Sequence, residues 1–365
     1  MKDVEKLSKS IGERPAGSEA GVSAVEYIAD QFSAARFGVL RTNFTFETNP
    51  NRPATITVGG ATIDAITAGG SKDGAVTGAA APLPIGVVAG GLTGKVAVTV
   101  RGGASFQEKY DTAWASGAVA LVIVNSDSGT VTANLGETAA FPVVTVAGAA
   151  QAQVEAAAAN GSPLTVTVSA PETDTGTNIT ARSRSAHACT YIVVANFDSV
   201  PNSPGANDNA SGVAVMLELA RQFDQISPLP DICFIALDAR FSGGQGVRRY
   251  LEALTATGRP ASVISISKVG AGGDLTMYGE LTLKNKLSGF AKSLGVSLND
   301  GGLTPPAATD GDEFRAAGIS TVEVSRVGGQ VGREDTFDRI DSGKLAQAGR
   351  LVGQIAVTIG ATTGP

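Results

Sequence analysis

Histidine is nearly missing: His187 is the only one in 365 residues. Any centre that needs two imidazoles from one chain is thereby excluded. Cysteine is as scarce, and Cys189 and Cys233 are too few for a disulfide framework. They read as two small buried apolar residues, with a thiol pair or disulfide between neighbouring strands as the alternative. Basic residues number 28 against 34 acidic, a net charge of −6 with no basic block. That argues against nucleic acid, which needs clustered Lys and Arg. No apolar run is long enough to cross a membrane. The opening Met1-Lys2-Asp3-Val4-Glu5-Lys6 lacks the apolar core of a secretion signal. Either the protein stays in the cytoplasm or the chain starts after a removed signal.

What is abundant is glycine, at 46 residues, within a chain that is 43% hydrophobic and 17% charged. This is ordinary globular composition rather than disorder. The length predicts two domains. Near the start, Val4, Leu7 and Ile11 form one helical stripe, and Val22, Val25, Ile28, Ala29 and Phe32 form a second. Gly38 is expected to close that second helix, with a strand over 39–48. Asn49-Pro50-Asn51-Arg52-Pro53 then breaks the pattern.

Over 54–171, short Val/Ala/Thr-rich strands alternate with glycine pairs. The segment contains Gly94-Lys95-Val96-Ala97-Val98-Thr99-Val100-Arg101-Gly102, then Ser105-Phe106-Gln107-Glu108-Lys109, then Gly117-Ala118-Val119-Ala120-Leu121-Val122-Ile123-Val124-Asn125. This series resembles the protease-associated domain, a β-rich module inserted into several peptidase families. From 172 onward strands alternate with helices, the pattern of a mostly parallel sheet covered on both faces. Strands are expected at 190–195, 231–237, 263–267 and 321–325, and helices at 212–224, 246–254, 283–294 and 343–359. The expected class is therefore α/β. One discontinuous domain comprises 1–53 and 172–365, and the β-rich insert comprises 54–171. Ligands of such sheets gather at the carboxyl ends of the strands.

At the first of those ends stands Asn196-Phe197-Asp198-Ser199, followed by Asn207-Asp208-Asn209-Ala210-Ser211-Gly212 running into a helix. Here the chain resembles the co-catalytic zinc aminopeptidases, the clan that includes glutamate carboxypeptidase and the transferrin receptor. The resemblance extends over the whole chain. It implies a peptidase frame with two Zn²⁺ ions held by imidazoles and carboxylates, and a glutamate as base for the attacking water. Carried over residue by residue, the first ligand histidine falls on Asn196, while Asp198 survives. The bridging aspartate survives as Asp208. The base and the neighbouring ligand glutamate fall on Arg240 and Phe241. The ligand aspartate of the next strand falls on Ser267. The family's Ser-Asp-His element corresponds to Thr309-Asp310-Gly311, and the last histidine falls on Val331. His187 lies toward the opposite end of its strand and reads as a surface or strand-entry residue.

These departures set the expectations for function. The site would be degenerate at Asn196, Arg240, Phe241, Ser267 and Val331, with Asp198, Asp208 and Asp310 as its remnant. Zinc is not expected, and Arg240 would replace the lost metal charge by pairing with Asp208 or Asp198. The chain would be a non-catalytic homologue with a binding, scaffolding or assembly role, its partner a protein, a peptide or another copy of itself. The alternative is a metal-dependent aminopeptidase with an atypical carboxylate-only site. Asp198, Asp208, Asp238, Asp310 and Asp312 would then make calcium the candidate ion. Localisation, by analogy with zinc aminopeptidases carrying this insert, is extracellular or in the cell envelope.

Overall fold

The Ser18 hydroxyl accepts a hydrogen bond from the Gly21 amide, pairing one of the donors that a helix N-terminus leaves open. That cap starts α2 (Glu19–Ala34), which follows the short α1 (Lys2–Glu5). In α2 the buried face is Ala24, Val25, Ile28, Ala29 and Phe32, whereas Val22, expected in the stripe, is 54% exposed. Arg36, rather than Gly38, takes the left-handed conformation after the helix (φ 59°). Its guanidinium is anchored on Asp224 at 2.6 Å. Gly38 instead begins strand β1 (Gly38–Glu47).

The computed structural model describes residues 1–84, 86–135, 138–183, 189–225, 232–257, 260–307, 309–329 and 331–361. His187 lies outside them. The chain forms two units, Met1–Phe46 with Asp174–Pro365, and Glu47–Thr173.

In the second unit, seven strands close into a barrel in the order β2-β3-β7-β6-β5-β4-β8. They are β2 (Pro53–Val58), β3 (Ala61–Thr67), β4 (Gly74–Pro82), β5 (Lys95–Val100), β6 (Ala120–Val124), β7 (Val143–Val146) and β8 (Pro163–Val168). Helices α3 (Phe106–Ala115) and α4 (Gln151–Asn160) accompany them. Ser105 and Glu108 form a reciprocal capping box at the start of α3. Small and branched apolar residues from alternate strand positions fill one core, among them Ile56, Val96, Val98, Val122, Val144 and Val166.

The chain returns to the first unit through β9 (Thr173–Arg182) and β10 (Tyr191–Asn196). There follow α5 (Ser211–Phe223), β11 (Ile232–Leu237), α6 (Gln245–Thr257), β12 (Ser262–Ile266), β13 (Leu275–Gly279), α7 (Leu281–Ser293), β14 (Leu298–Asp300), α8 (Asp310–Ala316), β15 (Thr321–Arg326) and α9 (Ser342–Ala361). The eight-stranded sheet runs β1-β9-β11-β10-β12-β15-β13-β14. Its centre, β11-β10-β12-β15, is parallel, and β9 and β13 pair antiparallel. Alternation along β10 shows both faces covered. Tyr191, Val193 and Ala195 pack with residues of α1, α2, α5 and α9, and Ile192 and Val194 pack with residues of α6 and α8. The parallel direction brings the carboxyl ends of β10, β11, β12 and β15 to one edge. The fold is α/β, as the alternation of strands and helices predicts. Cys189 and Cys233 form a disulfide, with Cα atoms 5.3 Å apart. The parallel register Tyr191↔Ile232 places the segment before β10 beside β11, so the alternative of a bonded pair replaces the reading of two buried apolar residues: Cys233 is buried and Cys189 only partly so.

Candidate active site

Two amide side chains stitch the strand ends together. Asn196, the last residue of β10, donates to Asp198 Oδ1 at 3.2 Å and accepts from Asn209 Nδ2 at 3.1 Å. The same Asn209 nitrogen donates to the Ile266 carbonyl at 2.9 Å, and its oxygen accepts from the Lys268 amide at 3.1 Å. The ends of β10 and β12 are thereby tied to the entry of α5. The loop before α5 is fixed from below. Asp335 accepts from the Asn207 and Asp208 amides at 2.6 and 2.8 Å. Arg14 is fully buried and donates to the carbonyls of Phe197, Pro204 and Gly205 at 2.6, 2.5 and 2.7 Å. Burial lowers its pKa to about 10, so it stays a cation at neutral pH. It gives fixed positive charge beneath Asp198, Asp335 and Asp208.

The end of β11 is shaped by Asp238, which accepts from the Thr177 and Ala239 amides at 3.0 and 2.8 Å. Ala239 then takes a left-handed conformation (φ 52°), as does Lys268 after β12 (φ 51°). A left-handed non-glycine residue is strained, and it persists where surrounding contacts hold it. These two turns present Arg240, Phe241 and Lys268. The Phe241 amide is held by Asp198 Oδ2 at 3.1 Å.

Asn196, Asp208, Arg240, Phe241, Ser267 and Asp310 line one cavity of about 100 Å³, together with Ser265, Ile266, Lys268, Ala307 and Thr309. Asp198 sits behind it, occupied by Asn196 and Phe241. Val331 stands apart, 70% exposed and not among the lining residues. Arg240 pairs with Asp310, Nε to Oδ1 at 3.6 Å, rather than with Asp198, and its charge also draws down the pKa of Asp208. The reason is that Asp198 is taken up by an amide and a backbone N–H, while Asp310 faces the guanidinium from the start of α8. Asp312, expected among calcium ligands, instead accepts from the Thr309 amide at 2.8 Å and binds the Arg315 guanidinium. Asp238 is spent on its two amides. Among the described residues no group of three or more His, Cys, Asp or Glu is placed to hold a metal ion, so these five carboxylates are not gathered as calcium ligands.

Burial sets the protonation of the site. It raises Asp198 to about 8, helped by the nearby Asp238 and opposed by its two hydrogen bonds. Asp310 is raised to about 6 by burial, against the pull of Arg240. Asp208 is also raised by burial, while Lys268, Arg240 and Arg14 draw it back. Lys268 and Arg14 shape the site but carry no motif. The signal for Lys268 is its place two residues after the end of a central strand.

The profile of the family described as "Peptidase family M28" matches residues 178–356, and that of the "PA domain" matches residues 58–157. Aminopeptidase YwaD of Bacillus subtilis is 29% identical, covering 96% of this chain and 82% of its own. The probable lipoprotein aminopeptidase LpqL of Mycobacterium tuberculosis is also 29% identical, covering 67% of this chain and 52% of its own. Among solved structures, an aminopeptidase from Aneurinibacillus sp. strain AM-1 superposes with a TM-score of 0.66 at 27% identity, covering 98% and 92% of the two chains. BSAP, a zinc aminopeptidase from Bacillus subtilis, superposes with a TM-score of 0.60 at 28% identity, covering 98% and 93%.

Two expectations fall against these relatives. A non-catalytic role has no counterpart among them, since each is named an aminopeptidase. Nor does an expectation of no zinc, since BSAP is a zinc aminopeptidase. Five departures at single positions stand against a likeness that runs through nearly the whole chain. The donor set here is nonetheless not that of two histidine-bound zinc ions. It offers one amide, three hydroxyl side chains and two carboxylates, with Arg240 and Lys268 lining the same space. Fixed cations repel a dication, so the residues present do not fit that centre. Residues 178–356 match peptidase family M28 and residues 58–157 the PA domain, and the likeness to aminopeptidases of this frame and insert runs over nearly the whole chain.

Proposed function

We propose that this chain is an aminopeptidase-type hydrolase working through an atypical carboxylate site, Asp208 and Asp310, with Arg240 and Lys268 as its electrophilic partners. The observation that carries it is the meeting of these four side chains in one cavity at the carboxyl edge of the sheet. The names of the relatives support the reaction class. Hydrolysis of a terminal peptide bond needs a proton acceptor for water, a positive site for the carbonyl oxygen as it gains charge, and a proton for the leaving amine. Asp310, raised to about 6, is largely ionised at neutral pH yet more basic than an ordinary aspartate. It takes the proton as the water oxygen bonds to the carbonyl carbon. Arg240 and Lys268 stabilise the oxyanion. When the C–N bond breaks, the same proton passes from Asp310 to the departing amine. Asp208, the other carboxylate of the cavity, faces the cationic amino terminus of the peptide. Asp198 positions Phe241 and so the turn that bears Arg240.

The test is release of nitroaniline from aminoacyl-p-nitroanilides by the purified chain, with added Zn²⁺ and with chelator. Asp310→Asn is expected to lower kcat at least a hundredfold while the fold is retained by circular dichroism. An Asp310→Asn variant as active as the parent would sink this assignment, and so would a folded parent that shows no turnover under either condition.

The same reading places the chain outside the cytoplasm. The disulfide suits an oxidising compartment, and one relative is named a lipoprotein. Among the described residues no helix is long and apolar enough to cross a membrane.

A further inference from the structure

The cavity is small. One of about 150 Å³ accommodates benzene, with six heavy atoms. At the same packing, this cavity of about 100 Å³ holds on the order of four or five, which glycine's five heavy atoms fill and alanine exceeds only by its methyl group at the mouth. Its floor is closed by the buried Asn196, Ser265 and Ile266 at the ends of β10 and β12, so no channel continues into the sheet for a long side chain. Its charge is balanced in kind, with the carboxylates Asp208 and Asp310 and the cations Arg240 and Lys268. Arg240 and Asp310 already pair at 3.6 Å, so a singly charged ligand that drew one of them away would leave the other unanswered at a cost. A zwitterion answers both, its ammonium toward the aspartates and its carboxylate toward the guanidinium and the ammonium of Lys268. Asn196, Ser267 and Thr309 add uncharged hydrogen-bonding groups.

We propose that this cavity binds the smallest α-amino acids, glycine and alanine, and accordingly that the chain acts on peptides beginning with those residues. The second half of the proposal rests on the hydrolase reading above, and the first half does not. In a peptide the carbonyl of the first residue takes the place of the free carboxylate beside Arg240 and Lys268. Larger first residues are refused because a volume of about 100 Å³ is already taken up by the backbone atoms of the first residue and a methyl group.

Calorimetric titration of the full chain tests the binding half, with glycine, L-alanine, L-leucine, N-acetyl-L-alanine and L-alaninamide as probes. Glycine and alanine are expected to bind. Blocking either charge by acetylation or amidation should weaken binding at least tenfold, and so should replacing alanine by leucine. Arg240→Gln should lose most of the benefit of the free carboxylate, so that alanine and alaninamide bind alike. The blocked probes read the same point on the unaltered protein if that variant does not fold. Leucine bound as tightly as alanine, or alanine not bound by folded protein, would overturn the proposal. Turnover separates the two readings. Alanine binding without any hydrolysis would sink the hydrolase and the peptide preference while leaving the amino-acid site standing. Hydrolysis that favours leucyl over alanyl p-nitroanilide would leave the hydrolase and sink the small-residue site.

Discussion

Glu323 sits in the middle of β15 with 1% of its surface exposed, opposite Ser265 on β12 and Tyr278 on β13. One carboxyl oxygen, Oε2, has no hydrogen-bond partner. Burial raises its pKa from 4.5 to about 7, against a hydrogen bond with Thr309. The folded chain therefore holds this proton more tightly than the unfolded chain. Its contribution to stability is fully present below about pH 4.5 and is lost as pH rises through about 7. Glu323→Gln keeps the shape without the charge. Its melting temperature relative to the parent should climb between pH 5 and pH 9, by a difference on the order of 1–2 kcal/mol, several degrees for a unit of this size. A difference that does not change with pH would mean that the carboxyl is not the titrating group. Nothing in Thr321-Val322-Glu323-Val324-Ser325-Arg326 announces this. The alternation marks a strand, but an alternating strand normally turns its polar positions to solvent. Only the sheet order reveals that β15 lies between β12 and β13. Asp208, Asp310 and Arg240 were legible because they sit in motifs with fixed spacing. Glu323, Arg14 and Lys268 were not, because long-range packing alone defines them.

At the level of elements, the strands easiest to foresee were β10, β11, β12 and β15, close to the spans expected for them. The first three are nearly continuous apolar runs buried at almost every position. The strands not foreseen are of other kinds. β9 carries polar residues along an exposed-and-buried pattern, and β14 has three residues. β13 is short, with a threonine and a tyrosine among its five residues. Helix α8 has seven residues, too few for a stripe to show. The disulfide belongs to this scale, because it ties the lead-in of β10 to β11 across 44 residues of sequence. Closing a loop of that length corresponds to roughly 4 kcal/mol of chain entropy, with measured effects commonly smaller. Replacing both Cys189 and Cys233 by serine should therefore lower the urea-unfolding free energy of the first unit by about 2–4 kcal/mol. The parent treated with reductant should unfold at the same urea concentration as the double variant, apart from the added polarity of the serines. An unchanged midpoint after complete reduction would show that the two sulfurs do not bond in solution.

For the molecule as a whole, the manner of insertion decides what each unit needs from the other. The chain leaves the sheet at the end of β1 and re-enters at the start of β9, and these are neighbouring strands. Where it crosses into the second unit, the Thr48 amide donates to the Glu172 carbonyl at 2.9 Å. The two ends of the insert are therefore held side by side within the insert itself. Its seven strands close on themselves, leaving no strand edge that requires another unit to cover it. Its Val- and Ala-rich core is filled by its own residues, as is the second cluster around Tyr110, Leu121 and Phe141. A fragment comprising residues 47–173 should accordingly fold alone. The expected result is a β-rich circular dichroism spectrum and a single cooperative urea transition, with an m-value of about 1–3 kcal/mol/M. A fragment that binds a hydrophobic dye and unfolds without a sigmoidal transition would show that the barrel depends on the peptidase frame. The insert would then be part of that frame's folding rather than a module placed within it.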